Sequence, residues 1–269
     1  GDTILSYKAN LYCRTALLIL VELNTGVVNS PDDIYEMVMD VIWERFFRPY
    51  DTFCVNAVVN QCDFIDNSLF AAMKVKDAVV DQLRETFGIR PSVDKEFPNV
   101  IINVHITKNK MSLYINTSGL PLFKRGYKNY AVASPLNEVL AAGMINLSGW
   151  DSKVPLFDPF CGSGTILVEA AMIAMNVAPG LYRESFAFQK LKSYNRRLFN
   201  ELLDEAKSKI VYKCPEIIGS DISERAVDFA RGNIKNAGFS DFIRVEQAAF
   251  GDFIPNISDG FIITNPPYG

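Results

Sequence analysis

The stretch "LFDPFCGSGTILVEAAM", Leu156 to Met172, changes character at its glycines. Ahead of them, Leu156 and Phe157 close a short apolar run on a carboxylate, Asp158. Behind them, apolar residues recur with helical spacing from Thr165 onward. The pattern predicts a strand, a tight glycine turn and a helix. Gly162 and Gly164 carry no Cβ, so a ligand can approach the backbone there, and the helix N-terminus offers free N–H groups. Asp158, at the strand's carboxyl end, can accept a hydrogen bond from a ligand amino group. Taken alone, the turn is only a tight strand-to-helix connection. It is not a GxGxxG, and no GK[ST] follows, so it is not a phosphate loop.

Towards the C-terminus the alternation continues. "VPLFD", "EIIGSDI", "FIRVEQA" and "GFIITN" read as strands, with "SERAVDFARGNIKNAG" as a helix between the second and third. Strands alternating with helices predict a parallel, doubly wound sheet. Asp221 ends the second of these strands. A carboxylate there can take both hydroxyls of a ribose, or it can cap the helix that begins near Ser223. It stands much further past the glycines than the roughly 20 residues of a nicotinamide-binding fold, because a long helical insertion intervenes.

The fourth strand runs into "NPPY", Asn265, Pro266, Pro267 and Tyr268. A nucleobase amine is a poor nucleophile because its lone pair is delocalised into the ring. Two acceptors in the amine's plane would hold its hydrogens and favour attack. The Asn265 side-chain oxygen and the Pro266 carbonyl suit this, because the prolines fix that carbonyl's direction. Tyr268 can stack on an extruded base. No general-base histidine is needed, and the only one, His105, sits within an apolar strand as a structural residue.

Towards the N-terminus the chain reads as a separate mixed α/β region. "LLILVEL" and "FCVNAVV" are strands. Ser30 caps a helix that has Pro31 just inside. Gly88 closes a second, longer helix. "VIINVHITKNKMSLYINT" is a hairpin. The irregular "SGLPLFKRGYKNYAVASP" that follows is expected to link the two parts. The domains are therefore placed at residues 1–118, with a linker at 119–133 and the second domain at 134–269. Lys124, Arg125 and Lys128 form a basic linker patch that could hold RNA phosphates, or simply a solvated loop.

Composition narrows the classes. Net charge is -4, so any polyanion must be met by local patches. Five scattered cysteines, without a CxxC or Cys/His cluster, argue against a zinc site or disulfide framework and suit a reducing cytoplasm. Cys161 is expected to pack within the glycine turn, since no base partner is evident for a nucleophile. No apolar run is long enough to span a membrane.

The glycine turn, the aspartate and the proline turn, in this order at successive strand ends, resemble the Rossmann-like S-adenosylmethionine-dependent methyltransferases that act on amines. The closer resemblance is to the THUMP-domain RNA guanine-N2 methyltransferases of 23S ribosomal RNA. It extends over "YKANLYCRTALLILVEL", "LYINTSGLPLFKRGYKNYAVASPLNEVLAAGMI", "LFDPFCGSGTILVEAAMIAMNVAPG" and "GSDISERAVDFARGNIKNAGF". It implies an N-terminal THUMP-type RNA-binding region lacking its first segment, and a C-terminally incomplete methyltransferase sheet. It implies S-adenosyl-L-methionine as cofactor, held by Ser134, Pro135, the run Asp158, Pro159, Phe160, Cys161, Gly162, Ser163, Gly164 and Thr165, and by Asp221 and Ile222. Asn265 to Tyr268 would meet the base. The pairing of the Asp158–Gly164 turn with Asp221 predicts S-adenosylmethionine or its demethylated product rather than NAD. The chain departs from the family in "QAAFGD", where Ala249 stands at a usually acidic place near the adenine; either Asp252 substitutes through a shifted loop, or the adenine amine loses a partner.

The implied reaction is methyl transfer to guanine N2 in RNA, as part of ribosomal RNA processing. Other readings stay open: a tRNA guanine-N2 methyltransferase, an N5-glutamine or N6-adenine methyltransferase, and a non-catalytic RNA-binding platform. The strand carrying Asn265 is expected to be an apolar sheet edge covered by a further segment of a longer protein.

Overall fold

Two four-stranded sheets organise the chain, whose computed structural model describes residues 2–133, 135–252 and 259–267. Each sheet lies in its own compact unit. Helix α1 (Thr3–Tyr12) opens the chain.

The first unit holds Leu18–Leu120 and Ser185–Leu198 with the first residues of the chain. Its strands are β1 (Leu20–Val27), β2 (Phe53–Asn60), β3 (Val100–Thr107) and β4 (Lys110–Asn116), in the spatial order β1-β4-β3-β2. β3 and β4 form the expected antiparallel hairpin, β1 pairs antiparallel with β4, and β2 lies parallel to β3. Helix α2 (Pro31–Met39) begins where the sequence suggests, with the Ser30 hydroxyl accepting the Asp33 N–H. Helix α3 (Ser68–Phe87) ends on Gly88 at φ +67°. Between α2 and β2, Trp43, Phe47 and Phe53 are buried and meet edge to face. His105 on β3 lies 5.3 Å from the Tyr114 ring.

The second unit holds Tyr7–Leu17, Pro121–Glu184 and the chain from Phe199 onward. Its helices are α4 (Glu138–Leu147), α5 (Thr165–Ala174), α6 (Arg196–Ser208, entering the unit at Phe199) and α7 (Glu224–Asn236). Strands β5 (Leu156–Asp158), β6 (Ile217–Asp221), β7 (Ile243–Gln247) and β8 (Phe261–Ile262) are all parallel, in the order β7-β6-β5-β8. The central strand β5 thus precedes both neighbours in sequence. The chain steps outward from β5 through β6 to β7 and then crosses back to β8 on the other side, and ligands of open α/β sheets bind at the carboxyl ends beside such a reversal of strand order. β8, at the sheet edge, is only two residues long, with Ile262 exposed. Helix α5 is buried from Thr165 through Met172, so its apolar residues surround the axis rather than forming one stripe.

Two boundaries differ from the sequence reading. Residues 7–17 pack with the second unit, where the Arg14 guanidinium donates to the carbonyls of Met172 and Val177. Residues 185–198 pack with the first, through Phe188 N–H to Thr117 O and Lys192 N–H to Phe46 O.

The expected linker is also not a free connector, and its basic residues are not one patch. Leu122, Arg125 and Tyr127 are buried in the second unit. The Arg125 guanidinium lies 3.3 Å from Glu169 Oε1 and also donates to the carbonyls of Leu122 and Arg14. A charge in the interior must be paired, and Glu169 in the middle of apolar α5 supplies the partner. Burial pushes the Glu169 carboxyl up, with Arg125 opposing that shift. Lys128 donates to Leu136 O and lies 3.5 Å from Glu138. Burial holds its ammonium below the usual range, against the pull of Glu138. Only Lys124 of the three is exposed. Arg125 is therefore withdrawn from the RNA-contacting set.

Candidate functional site

The carboxyl ends of β5, β6 and β8 open onto one cleft of about 530 Å³ in the second unit, within the usual range for small-molecule sites. Three sequence motifs meet there. Asp158, Phe160, Cys161, Gly162, Ser163 and Thr165 line it from the turn after β5. Asp221 and Ile222 line it from the end of β6, and Asn265, Pro266 and Pro267 from the chain after β8. Sequence reasoning missed the opposite wall, Val132, Ala133 and Leu136; the first two lie in the stretch expected to be a linker.

The glycine turn depends on its residue types. Gly162 has φ +52° and Gly164 φ +80°, the left-handed region where a Cβ is strained. A Cβ on Gly164 would also stand 3.2 Å from the Ala230 Cβ, so α7 packs against that glycine. Cys161 is buried behind the turn, and burial together with Asp158 and Asp221 pushes its thiol far up. It packs and is no nucleophile.

Two carboxylates differ in environment. Asp158 is 1% exposed. Its Oδ1 accepts the Thr264 hydroxyl at 2.7 Å and the Phe160 N–H at 3.2 Å. Burial raises its carboxyl to about 7, against the lowering by those two bonds, and Asp221 adds to the rise. Asp221 is only half-buried. Its Oδ2 accepts the Gly162 N–H and its Oδ1 the Ser223 N–H, both at 2.9 Å. The cap of α7 is Ser223, whose hydroxyl accepts the Ala226 N–H, while Asp221 holds the Ser223 N–H and borders the cleft. Ile222, beside it, is 72% exposed.

The remaining expected site residues are placed as follows. Pro159 is buried and Gly164 packs on α7, each behind the lining; Pro135 is exposed beside it. Asp252 is exposed in the turn after β7, its N–H bonded to Ala249 O, and does not line the cleft. Phe250 of the same turn stacks on Phe160, with centroids 5.5 Å apart. Ser134 and Tyr268 lie outside the described residues.

The donor set suits S-adenosylmethionine. A buried carboxyl near neutrality matches an amino group, a second carboxylate one strand over matches a ribose diol, and an exposed aliphatic side chain beside it matches a flat ring.

Comparison with known proteins decides the family. Residues 125–269 match the model of the RMKL-like methyltransferase domain, and residues 28–116 that of the THUMP domain. The chain belongs to the RMKL-like methyltransferase domain family. It is 39% identical over 98% of its length to the ribosomal RNA large subunit methyltransferase K/L of Shewanella amazonensis, covering 38% of that protein. It is 34% identical over its whole length to a Synechocystis sp. protein described as an RNA methyltransferase, covering 70% of it. The chain thus spans well under half the length of the K/L relatives. Among solved structures, SMU.472, described as a methyltransferase and complexed with SAH (S-adenosylhomocysteine), superposes with a TM-score of 0.90 at 31% identity. That match covers all of this chain and 71% of the other. No helix among the described residues is long and apolar enough to cross a membrane.

Proposed function

We propose that this chain belongs to a cytoplasmic RNA methyltransferase that uses S-adenosyl-L-methionine to methylate a guanine N2 amine in 23S ribosomal RNA. The observation that carries this reading is the convergence of Asp158, the glycine turn, Asp221 and the Asn265–Pro267 turn on one cleft. The cofactor supplies an electrophilic methyl group on a sulfonium. Every other task falls to the chain. Asp158 would take the amino group of the methionine part, and a cation beside it favours its ionised form. Asp221 would hold the ribose hydroxyls while its bond to Gly162 keeps the glycine turn in place. Open backbone at Gly162 lets the ligand lie close. The Asn265 side-chain oxygen and the Pro266 carbonyl would accept from the two hydrogens of the target amine and fix its plane, which lowers the barrier by orientation. The methylated amine gives up its proton readily, so no general base is required.

The K/L relatives and the THUMP match support the RNA as substrate. The deciding experiment incubates the whole protein with S-adenosylmethionine and, separately, large-subunit ribosomal RNA, transfer RNA, DNA and protein, followed by mass spectrometry of the products. N2-methylguanosine from ribosomal RNA is expected. The same nucleoside from transfer RNA alone, N6-methyladenine, methylglutamine or no product would each replace the reading.

A further inference from the structure

The side chain of Asn233, on α7, is fully buried among groups that belong to other segments. Its Oδ1 accepts the N–H groups of Asn129 and Tyr130 at 3.0 and 3.1 Å. Its Nδ2 donates to Tyr130 O at 2.8 Å and to Ser163 O at 3.0 Å. An amide has two donors and two acceptor sites, and here all four are used on backbone. Residues 129–133 lie in neither helix nor strand, so they have no ladder to hold them. We propose that Asn233 is a positioning residue: it clamps the 129–133 segment to the glycine turn, so that the two walls of the cofactor cleft are assembled before ligand arrives.

Three further observations fit the clamp. The Tyr130 ring lies over Gly232, where a Cβ would come within 2.7 Å of it. The same ring stacks on Phe229 at 5.7 Å and 19°, which anchors the segment on its outer side. Two residues on, Val132 Cγ2 stands 3.8 Å from the place a Gly162 Cβ would take, and Val132 and Ala133 line the cleft. A segment without regular structure would otherwise have to be ordered on binding, at an entropic cost that the clamp removes beforehand. Helix α7 thus acts on the ligand without touching it through Asn233.

This inference rests on the reading of the cleft as the cofactor site, and the test separates the two. Asn233→Asp keeps the volume and the acceptors but loses both amide donors, to Tyr130 O and Ser163 O. In the whole protein, SAH affinity by titration calorimetry should fall about tenfold or more, the scale of a buried polar group left unpaired. Tyr130→Ala, at a half-exposed position, keeps the backbone groups that Asn233 holds but removes the ring stacked on Phe229 and lying over Gly232, and should weaken SAH by roughly threefold or more, the scale of a lost aromatic pair. Ile234→Ala, beside Asn233 but facing the core, should lower the melting temperature while changing SAH affinity less than about twofold, since the folded cleft keeps its polar partners. Hydrogen exchange of the Asn129 and Tyr130 amides reads the segment directly, and should speed up in Tyr130→Ala. If Asn233→Asp does not fold, Tyr130→Ala decides. Unchanged SAH affinity in the variants that fold would overturn the positioning role alone. A wild-type protein that does not bind SAH would overturn the cofactor reading and the proposal with it.

Discussion

The Thr264 hydroxyl donates to Asp158 Oδ1 across 2.7 Å, joining the residue before Asn265 to the carboxyl at the end of the central strand. Two motifs far apart in sequence, one proposed for the cofactor and one proposed for the target amine, therefore share a hydrogen bond. Thr264→Val removes the bond with little change of shape. Methyl transfer is expected to fall about tenfold, because the proline turn loses its register, at a cost near that of one hydrogen bond to a charged group. The bond also lowers the Asp158 carboxyl, so the variant's SAH binding should require higher pH than that of the wild type. Single-turnover rates and calorimetry against pH check both parts; an unshifted profile would remove the bond from the mechanism.

Asp158 also sets a pH dependence of stability. Its carboxyl titrates near 7 in the fold and near 3.9 in an unfolded chain. The folded state binds this proton more tightly, so the group's contribution is fully present below about pH 4 and is lost as pH rises through about 7. Asp158→Asn should therefore melt higher than wild type at pH 8, with the gain shrinking towards pH 4, yet bind SAH poorly at every pH. Calorimetric melting across that range tests the sign. A wild-type SAH affinity that does not improve between pH 6 and 8 would separate Asp158 from the ligand amino group.

Asp221→Ala should weaken SAH binding by about 1–3 kcal/mol, since both the ligand hydroxyls and the Gly162 N–H lose an acceptor. Equal affinity in titration calorimetry would take Asp221 out of the site.

Asn265→Ala is expected to slow methyl transfer by about 10²–10³, on the scale of losing one oriented polar group at a reacting centre. Cofactor affinity should stay near that of the wild type. The comparison is kcat by radiolabelled methyl incorporation against SAH binding in the same preparation; normal turnover would defeat the amine-orienting role.

Arg125 and Lys124 are adjacent but should behave oppositely. Arg125→Ala leaves Glu169 buried and unpaired, and should destabilise by roughly 3–5 kcal/mol in denaturant melts. Lys124→Ala should leave stability unchanged and lower the slope of log RNA affinity against log salt by about 1. A stable Arg125→Ala with a flattened salt slope would restore the basic patch.

The local signals were legible because local physics writes them. Gly162 and Gly164 occupy positive φ where the sequence places a turn, Ser30 and Gly88 cap helices from their own side chain or lack of one, Asp158 and Asp221 end strands whose apolar runs are visible in the chain, and Asn265 follows a third such run. Each is decided within a few residues. Tertiary structure alone decided the rest, because burial and spatial neighbours come from segments distant in sequence. "KRGYK" reads as a basic loop until Glu169, 44 residues away, takes Arg125 into the interior. β8 follows β7 in the chain but pairs with β5, which is what brings Asn265 beside Asp158. Asn233 is an ordinary polar residue of an amphipathic helix by pattern, and only the folded chain shows its amide closing on Tyr130 and Ser163. A hydrogen bond or ion pair in the interior is worth its desolvation only when both partners are present, and a single sequence names the groups without saying which of them meet.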